Sequence, residues 1–309
     1  MAKIPPYTIT SKILTLSTLI TQELTKLELN PLYKPSLKLR KENRIKTLAG
    51  TLAIEGNHIG EEKITAILEG KRVLGTPKEL AEVQGAIKAY EKLSSFRFDS
   101  LEDLLMAHSM LMGEVLCNAG KFREINVGVG SHIAPPPHLI KDLMDNLFAW
   151  LKEGEEHLLL KSCIFHYEFE FIHPFVDGNG RVGRLWQSVI LSTYNPIFST
   201  LPLEAFISDF QAQYYQAIEE STALGESTPF IEFMLDLILK ALQKTKKSSQ
   251  KSSQKILSLI ASNSHITILE IAHTLNLSPS GVKKILKSLK DTKKLKRIGS
   301  HKGGVWEVC

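Results

Sequence analysis

The sequence predicts a mainly α-helical protein with a small β-hairpin and a C-terminal winged helix-turn-helix domain. Apolar residues recur at helical spacing through most of the chain. Residues 125–133 alternate with glycine, as in a short hairpin. After a polar segment at 244–251 the pattern changes to short helices and strands. Of the 309 residues, 43% are apolar and 23% are charged, so the chain can bury a core and global disorder is excluded.

Helical periodicity defines the elements before residue 244. Ile13, Leu16 and Leu24, with Leu19 or Ile20, form the apolar stripe of a first helix. A second helix is expected from about 41 to 55 and ends at Gly56, since glycine often closes a helix. Further helices are predicted at 77–93, 101–116, 137–151, 155–172, 180–194, 203–223 and 228–242.

The C-terminal elements follow a different order. Ser278 and Pro279 are typical of an N-cap and a first helical position. Helices are expected at 256–261, 269–275 and 279–290, and strands at 266–268, 295–298 and 305–308. Helix, strand, helix, turn, helix and hairpin is the order of a winged helix-turn-helix.

The charge of the chain changes close to the polar segment at 244–251. Residues 241–309 contain 14 Lys and Arg but 3 Asp and Glu, whereas residues 1–240 have a net charge of −6. A compact basic domain indicates nucleic acid as a partner. The predicted organisation is an N-terminal helical region (1–100) carrying a helix at about 41–57, a core with trailing helices (101–243), a linker (244–254) and the winged domain (255–309).

The cysteines indicate a reducing compartment. Cys117, Cys163 and Cys309 include no C-x-x-C pair, so neither a thiolate zinc site nor a disulfide framework is expected. No apolar run approaches the roughly 20 residues that a membrane span needs, and no signal peptide is recognised. The predicted location is the cytoplasm, without a membrane partner.

The segment 173–184, HPFVDGNGRVGR, has the residue types of a nucleotide site. Gly178 and Gly180 lack side chains, so backbone N–H groups can approach an anion. The loop leads into a helix whose N-terminus favours phosphate. Arg181 and Arg184 lie three apart on that helix, and each guanidinium group can bind two oxygens of a polyphosphate.

The same segment supplies a base and a metal ligand. Asp177 offers a hard oxygen ligand to Mg²⁺ that bridges phosphates. His173 can take a proton near neutral pH. Together with the glycines and arginines, these residues indicate phosphoryl or nucleotidyl transfer.

The segment resembles the signature of the Fic family, H-P-F-x-[D/E]-G-N-G-R-x-x-R, and matches it at every specified position. The resemblance covers roughly residues 1–240 and implies a Fic-type helical core. It implies that His173 deprotonates a Ser, Thr or Tyr hydroxyl of a protein target, which includes the chain itself, and that Asp177 holds Mg²⁺. The nucleotide-binding residues that it implies for ATP are Gly178, Asn179, Gly180, Arg181 and Arg184.

The residue at position 180 bears on which group is transferred. Family members that have Lys there, and Ala before the Asn, transfer phosphate, whereas this sequence has Gly180 and neither of those residues. The resemblance therefore favours transfer of AMP.

A flap is expected next to the catalytic segment. Residues 120–123, GKFR, and the stretch 127–133 resemble the flap hairpin of the family. A flexible strand edge can pair with an extended target segment. The target-binding flap residues so implied are Val127, Gly128, Val129 and Gly130. An ordinary hairpin between helices is the alternative.

Glu55 stands at the end of a helix, where the helix dipole disfavours an anion, so a cationic partner is expected. Thr51–Asn57, TLAIEGN, resembles the inhibitory motif [S/T]-x-x-x-E-[G/N] of the Fic family. The resemblance implies that Glu55 pairs with Arg184 and blocks placement of the γ-phosphate, while Thr51 anchors the helix. A solvated helix-end carboxylate is the alternative. The same glutamate can also orient water for removal of AMP.

The third helix of the C-terminal domain has two faces. One is apolar, and the other carries the predicted DNA-binding residues Ser280, Lys283, Lys284 and Lys287. The wing adds Lys296, Arg297, His301 and Lys302 for phosphate contacts. A role in protein contact or in forming a homodimer is the alternative.

Three functions are compatible with these features. The first is a protein adenylyltransferase with an appended DNA-binding domain. The second is a DNA-binding regulator whose core only senses nucleotide, and His173 weighs against it because a sensor needs no base. The third is transfer of another group, such as UMP, GMP or phosphocholine.

Overall fold

The computed structural model describes residues 3–29, 37–129, 132–275, 277–299 and 304–309, with the backbone alone at residues 129, 132 and 246–252. These residues are mainly helical, as the sequence predicts. In this part of the chain, no helix is long and apolar enough to cross a membrane.

The elements follow one another in a simple order. The helices are α1 (Ser11–Glu28), α2 (Leu37–Ile54), α3 (Gly60–Leu68), α4 (Pro77–Glu91), α5 (Leu101–Met112), α6 (Pro137–Glu153), α7 (Leu158–Ile172), α8 (Asn179–Tyr194), α9 (Leu203–Asp209), α10 (Gln211–Leu224), α11 (Thr228–Ser262), α12 (Ile268–Thr274) and α13 (Pro279–Asp291). Strands β1 (Gly128–Val129) and β2 (His132–Ile133) form one antiparallel hairpin, and β3 (Leu295–Ile298) and β4 (Val305–Val308) form another.

The chain divides into two compact units. The first contains Met1–Ile20 and Asn43–Leu239, and the second contains Thr21–Glu42 and Lys240–Cys309. The predicted division between 1–100 and 101–243 falls inside the first unit, where α4 and α5 pack closely. A Cβ atom added to Gly85 of α4 would lie 2.2 Å from the carbonyl oxygen of Leu111 in α5.

Helices α7 and α8 form the centre of the first unit. Both are buried on nearly every side, including Phe165 and Phe169 of α7 and Leu185 and Trp186 of α8. Helix α7 is apolar on most sides, as expected for a helix inside a core, whereas α8 buries polar side chains such as Arg181 and Arg184 beside its apolar ones. The predicted catalytic segment therefore connects the ends of two central helices.

Helix α2 ends beside this centre. It packs against α9 at Gly50, where an added Cβ atom would lie 2.5 Å from the amide nitrogen of Ala205. The helix closes through Gly56, which has a φ of 84°, and Asn57 N donates to Leu52 O over 3.0 Å. The helix end predicted at Gly56 is confirmed.

Two elements of the first unit differ from the prediction. The nine-residue helix α3 was not predicted, because it is shorter than the roughly 11 to 18 residues over which helical periodicity is recognised. The helix predicted at 203–223 is two helices, α9 and α10, separated at Phe210, whose φ of −119° is not helical.

The predicted linker at 244–254 is helical, because its residues belong to α11. Its Lys and Gln residues have good helix propensity, and it contains neither Gly nor Pro to end the helix. The prediction of a strand at 266–268 is wrong. Thr267 instead caps α12, since its side chain and that of Glu270 exchange hydrogen bonds with the backbone.

The remaining C-terminal elements match the predicted winged helix-turn-helix. Helices α12 and α13 and the hairpin β3–β4 enclose a core that includes Ile256, Ile271, Leu286 and Trp306. The indole Nε1 of Trp306 donates to Ile266 O over 3.2 Å, so the hairpin is fastened to the turn before α12.

Candidate active site

The catalytic loop comprises residues 173–178 between α7 and α8. Asn179 stabilises it from within: its Oδ1 accepts from Phe175 N, and its Nδ2 donates to Phe175 O, both over 2.9 Å. Gly178 has a φ of 86°, and an added Cβ atom would lie 2.8 Å from Met112 Cγ. Glycine is therefore required at this position both by conformation and by space.

Helix α8 begins directly after this loop. Its N-cap is Gly178, and no side chain in the described part of the chain caps the helix there. The first N–H groups of a helix have no partner within it, and together with the helix dipole they favour an anion. The start of α8 thus has the local structure of a phosphate site.

His173 ends α7 in a left-handed conformation, with a φ of 50°. This backbone is unusual for a residue with a Cβ atom and must be held by its surroundings. The side chain is 17% exposed, and its Nδ1 lies 3.4 Å from Glu170 O. If Nδ1 donates to that carbonyl oxygen, Nε2 carries the lone pair that can accept a proton.

A buried arginine holds His173 and the flap together. Arg123 is 1% exposed, and its Nε donates to His173 O over 2.7 Å. Its two terminal nitrogens donate to Ile125 O over 2.7 Å and to Pro135 O over 2.6 Å. Arg123 therefore fastens both ends of the hairpin to the catalytic loop.

Arg184 is fully enclosed by the end of α2. Its Nη2 lies 2.7 Å from Glu55 Oε1 and 3.2 Å from Thr51 O, and its Nε donates to Thr51 Oγ1 over 3.2 Å. Arg184 is 1% exposed and Thr51 is fully buried. Burial lowers the pKa of Arg184, but the adjacent Glu55 carboxylate, together with Tyr214 and Tyr90, raises the pKa of Arg184 overall. Arg184 is therefore charged and bound to Glu55.

Gly180 makes room for this ion pair. An added Cβ atom at position 180 would lie 2.6 Å from Glu55 Oε1 and 2.9 Å from Arg184 Nη1. Either distance is shorter than a normal contact, so any larger residue would displace the carboxylate. From the sequence alone, Gly180 was explained instead by the approach of backbone N–H groups to an anion.

Arg181 and Arg184 bind different carboxylates. Its Nη1 binds Glu82 Oε1 over 3.1 Å, and its Nη2 binds Asp177 Oδ1 over 3.0 Å. Arg181 and Glu82 are buried, whereas the Asp177 side chain is 42% exposed. Each arginine of the motif thus has carboxylate partners of its own.

Sequence reasoning missed Glu82, although a signal was present. Glu82 lies on α4 on the same stripe as the small buried residues Gly85, Ala86 and Ala89. A carboxylate within a stripe of small buried residues must find a cationic partner, because burying an unpaired charge is costly. Here the partner is Arg181.

His108 was also missed. Its Nδ1 accepts from Gly120 N over 2.7 Å, so its Nε2, 3.0 Å from Asp177 O, is the donor. The imidazole stacks on Phe175 with 3.7 Å between ring centroids. Burial lowers the pKa of His108. The neutral ring joins the start of the flap segment to the catalytic loop.

Two further buried polar residues, His166 and Glu170, lie on α7 before His173. His166 is fully buried, with Nδ1 at 2.8 Å from Gln187 Oε1 and Nε2 at 3.0 Å from Tyr214 Oη. Burial lowers the pKa of His166 to about 3 and raises the pKa of Glu170 to about 8. Glu170 Oε1 approaches the backbone at Gly183, where an added Cβ atom would lie 2.7 Å away.

The flap is short. Gly128 pairs with Ile133 and Val129 with His132. Val127 is half-buried and Gly128 is exposed, while Gly130 lies outside the described residues. Next to the hairpin, Ile125 is 57% exposed.

The predicted DNA-binding residues lie on the solvent side of α13. Ser280, Lys283, Lys284 and Lys287 are exposed. Val282, Leu286 and Leu289 pack into the core from the opposite side of the helix.

In the wing, the guanidinium group of Arg297 lies 4.4 Å from the Trp306 ring centroid. Arg297 is thereby held against the domain, and Lys296 is exposed. His301 and Lys302 fall outside the described residues.

Comparison with known proteins connects both units to families. The sequence pattern of the Fic/DOC family matches residues 98–191, and that of the winged helix-turn-helix DNA-binding family matches residues 249–293. The chain is 34% identical to a Fic family protein from Desulfovibrio desulfuricans G20 whose crystal structure is known. That likeness covers 99% of this chain and 98% of the other, with a TM-score of 0.78.

More distant relatives are also Fic proteins. Protein adenylyltransferase Fic from Culex quinquefasciatus is 28% identical over 212 residues, which are 64% of this chain and 41% of that protein. The chain thus matches less than half the length of this curated relative. Fic-1 from C. elegans shares the fold at 23% identity and a TM-score of 0.64, over 78% of this chain and 72% of the other.

Proposed function

This chain belongs to the Fic family, and we propose that it transfers AMP from ATP to a hydroxyl group of a protein. One observation carries the proposal: the loop 173–178 begins at His173 and leads directly into α8, which has two buried arginines in its first two turns. A relative that carries the name protein adenylyltransferase supports the same activity.

In this reaction His173 is the general base. The hydroxyl oxygen of the target forms a bond to the α-phosphorus, and the bond between that phosphorus and the β-bridging oxygen breaks, so pyrophosphate leaves. The hydroxyl proton passes to His173 Nε2. The contact of Nδ1 with Glu170 O, at 3.4 Å, supports this assignment of the two nitrogens.

The start of α8 supplies the phosphate site. The backbone amides of Gly178, Asn179 and Gly180 would hold the α-phosphate region, since helix N-termini favour anions. Arg181 and Arg184 would bind the β- and γ-phosphates. Their burial against carboxylates means that ATP must compete for them.

The residues of this site fit a Mg²⁺ ion that binds together with ATP. Asp177 carries an accessible carboxylate at the edge of the loop, and Mg²⁺ at phosphate sites typically uses one or two carboxylates plus phosphate oxygens. When bound, Mg²⁺ would neutralise the negative charge that develops on the phosphates. The metal-binding residue would be Asp177.

Glu55 would act as an inhibitor of this reaction. Its carboxylate lies 2.7 Å from Arg184 Nη2, and Thr51 accepts hydrogen bonds from Nε and from the same Nη2 of this guanidinium group. An arginine so engaged is withdrawn from the γ-phosphate. Orientation of water by Glu55, for removal of AMP, is the alternative role.

The flap would align the target. Val127, Gly128, Val129 and Gly130 would pair with an extended segment that presents a Ser, Thr or Tyr hydroxyl, on another protein or on this chain. Backbone pairing reads little of the target sequence, so the flap alone gives no target identity.

The C-terminal domain supports a second function, binding of duplex DNA. The exposed lysines of α13 stand opposite its buried apolar face, as expected for a recognition helix. The family match at 249–293 supports the same reading. A protein contact that forms a homodimer is the alternative.

A nucleotide comparison tests the proposed reaction. Purified protein with Mg²⁺ is incubated with ATP, UTP or GTP labelled in the α-phosphate, and with labelled CDP-choline. We expect covalent label on protein from ATP. Preferential labelling by another donor would replace AMP by that group, and no labelling by any donor, also after removal of Glu55, would favour a nucleotide sensor.

A further inference from the structure

Asn57 and Glu82 connect the two arginines of α8. Asn57 Nδ2 donates to Glu82 Oε2 over 2.9 Å, and Glu82 Oε1 accepts from Arg181 Nη1 over 3.1 Å. Two residues before Asn57, Glu55 binds Arg184 over 2.7 Å. The carboxylates that engage the two arginines are therefore joined to each other through the turn 55–57.

This turn is closed and buried at one end. Gly56 N donates to Ala53 O, and Asn57 N donates to Leu52 O, both over 3.0 Å. The Asn57 side chain is 4% exposed and also donates to Glu79 O over 3.1 Å. Because only one residue separates Glu55 from Asn57, the position of Asn57 constrains the direction of the Glu55 side chain.

We propose that the hydrogen bond between Asn57 and Glu82 positions the inhibitory carboxylate of Glu55 on Arg184, so that its loss activates the enzyme. The inference rests on the autoinhibited transferase proposed above. Glu82 then has two tasks, since one oxygen holds Arg181 and the other holds the turn that carries Glu55. Asn57 and Glu82 are positioning residues, because they act through Glu55 and Arg181.

The variant Glu82→Gln separates these two tasks. A carboxylate accepts hydrogen bonds at two oxygens, whereas the amide of Gln accepts at one and donates at the other. The charge-assisted bond from Arg181 is the stronger of the two, so the amide oxygen should remain there. The amide NH₂ group then faces Asn57 Nδ2, which is also a donor, and the contact with the turn is lost.

The variant Asn57→Ala removes the same contact from the other side. It leaves Glu82 on Arg181 and the Glu55 carboxylate intact. Both variants should therefore release the turn, although they change different residues.

The decisive experiment measures auto-modification from α-labelled ATP for each variant, with Glu55 present and in the Glu55→Gly background. With Glu55 present, we expect a rise on the order of tenfold, as for loss of a hydrogen bond to a charged group. In the Glu55→Gly background, we expect no rise beyond about twofold, because no inhibitory carboxylate is left to release. Glu102→Gln, on the exposed side of α5, and Asn146→Ala, on the surface of α6, are the matched controls.

Amide hydrogen exchange of residues 52–57 in the nucleotide-free full chain gives a second readout. Both variants should accelerate exchange there, and the controls should not. Equal effects on transfer in the two backgrounds, loss of transfer in both, or unchanged exchange at 52–57 would each overturn the inference. If Glu55→Gly transfers no label, the proposed function fails, whereas the exchange readout still decides whether Asn57 and Glu82 hold the turn.

Discussion

The carboxylate of Glu55 lies 2.7 Å from the guanidinium group of Arg184, across 129 residues of sequence. The pair is possible because Gly180 has no side chain at the point where the two groups meet. Arg184 is buried and charged, so a competing anion must replace Glu55 to gain access to it. This relationship makes the proposed phosphate site and its proposed inhibitor one structural unit.

Replacement of His173 by Ala should abolish transfer and leave ATP binding nearly unchanged. In the proposed reaction the imidazole acts on the target hydroxyl, and loss of a general base typically costs about 10²- to 10⁴-fold in rate. Labelling by α-labelled ATP and direct ATP titration measure the two effects. His138→Ala, at an exposed position, is the control. Undiminished labelling by a folded His173→Ala protein would remove His173 from the mechanism.

Replacement of Asp177 by Ala should remove the Mg²⁺-dependent activity. The Asp177 side chain is the accessible carboxylate of the loop, and we expect a loss of at least about tenfold, because metal ions stabilise charge on transferring phosphates. The rate of labelling is measured against Mg²⁺ concentration in the Glu55→Gly background. Wild-type activity in excess chelator would contradict the metal role.

Glu170 should make the stability of the protein fall as pH rises. Burial raises its pKa from 4.5 to about 8, so between these values the folded chain keeps a proton that the unfolded chain has lost. The contribution of Glu170 to stability is then largest below pH 4.5 and falls by up to about 1.4 kcal/mol per pH unit until about pH 8.

Glu170→Gln should lack this decline. The difference in Tm between Glu170→Gln and wild type should therefore grow from pH 5 to pH 8 and then level off. A difference that stays constant over this range would show that Glu170 ionises normally in the folded protein.

Replacement of Lys283, Lys284 and Lys287 by Ala should weaken binding of duplex DNA by the full chain. These side chains are exposed, so folding should survive. Log affinity should fall with log salt with a slope of about −0.9 for each phosphate contact, and the variant should flatten that slope. Lys63, Lys88 and Lys152, replaced together, form the control. Absence of wild-type binding at low salt would end the DNA hypothesis.

The features that could be predicted from the sequence are those formed by residues that lie close together along the chain. Residues 173–184 are contiguous, so the loop, the helix after it and the residue types of a phosphate site could be predicted together. The winged domain was predictable for the same reason, since Ser278 and Pro279 define the start of α13.

Long-range pairing could not be derived from one sequence. Glu82 and Arg181 are separated by 99 residues, and periodicity shows only that Glu82 is buried, not which cation it meets. His108 gave no signal because a buried histidine is common, and its two partners lie on separate loops. The pairing of Glu55 with Arg184 was expected only through the family resemblance.

The helical conformation of 244–254 was missed for another reason. Polar composition was read as a linker, but helix propensity depends on the absence of Gly and Pro more than on polarity.

The central claim is that this chain transfers AMP and that Glu55 restrains the transfer. The most direct measurement compares the Glu55→Gly protein with wild type, each given ATP labelled in either the α- or the γ-phosphate, with protein-bound label quantified. We predict covalent label from α-labelled ATP, at least about tenfold more in Glu55→Gly than in wild type, and no label from γ-labelled ATP. Label from the γ-phosphate, or equal or lower α-label in a folded Glu55→Gly protein, would contradict the account.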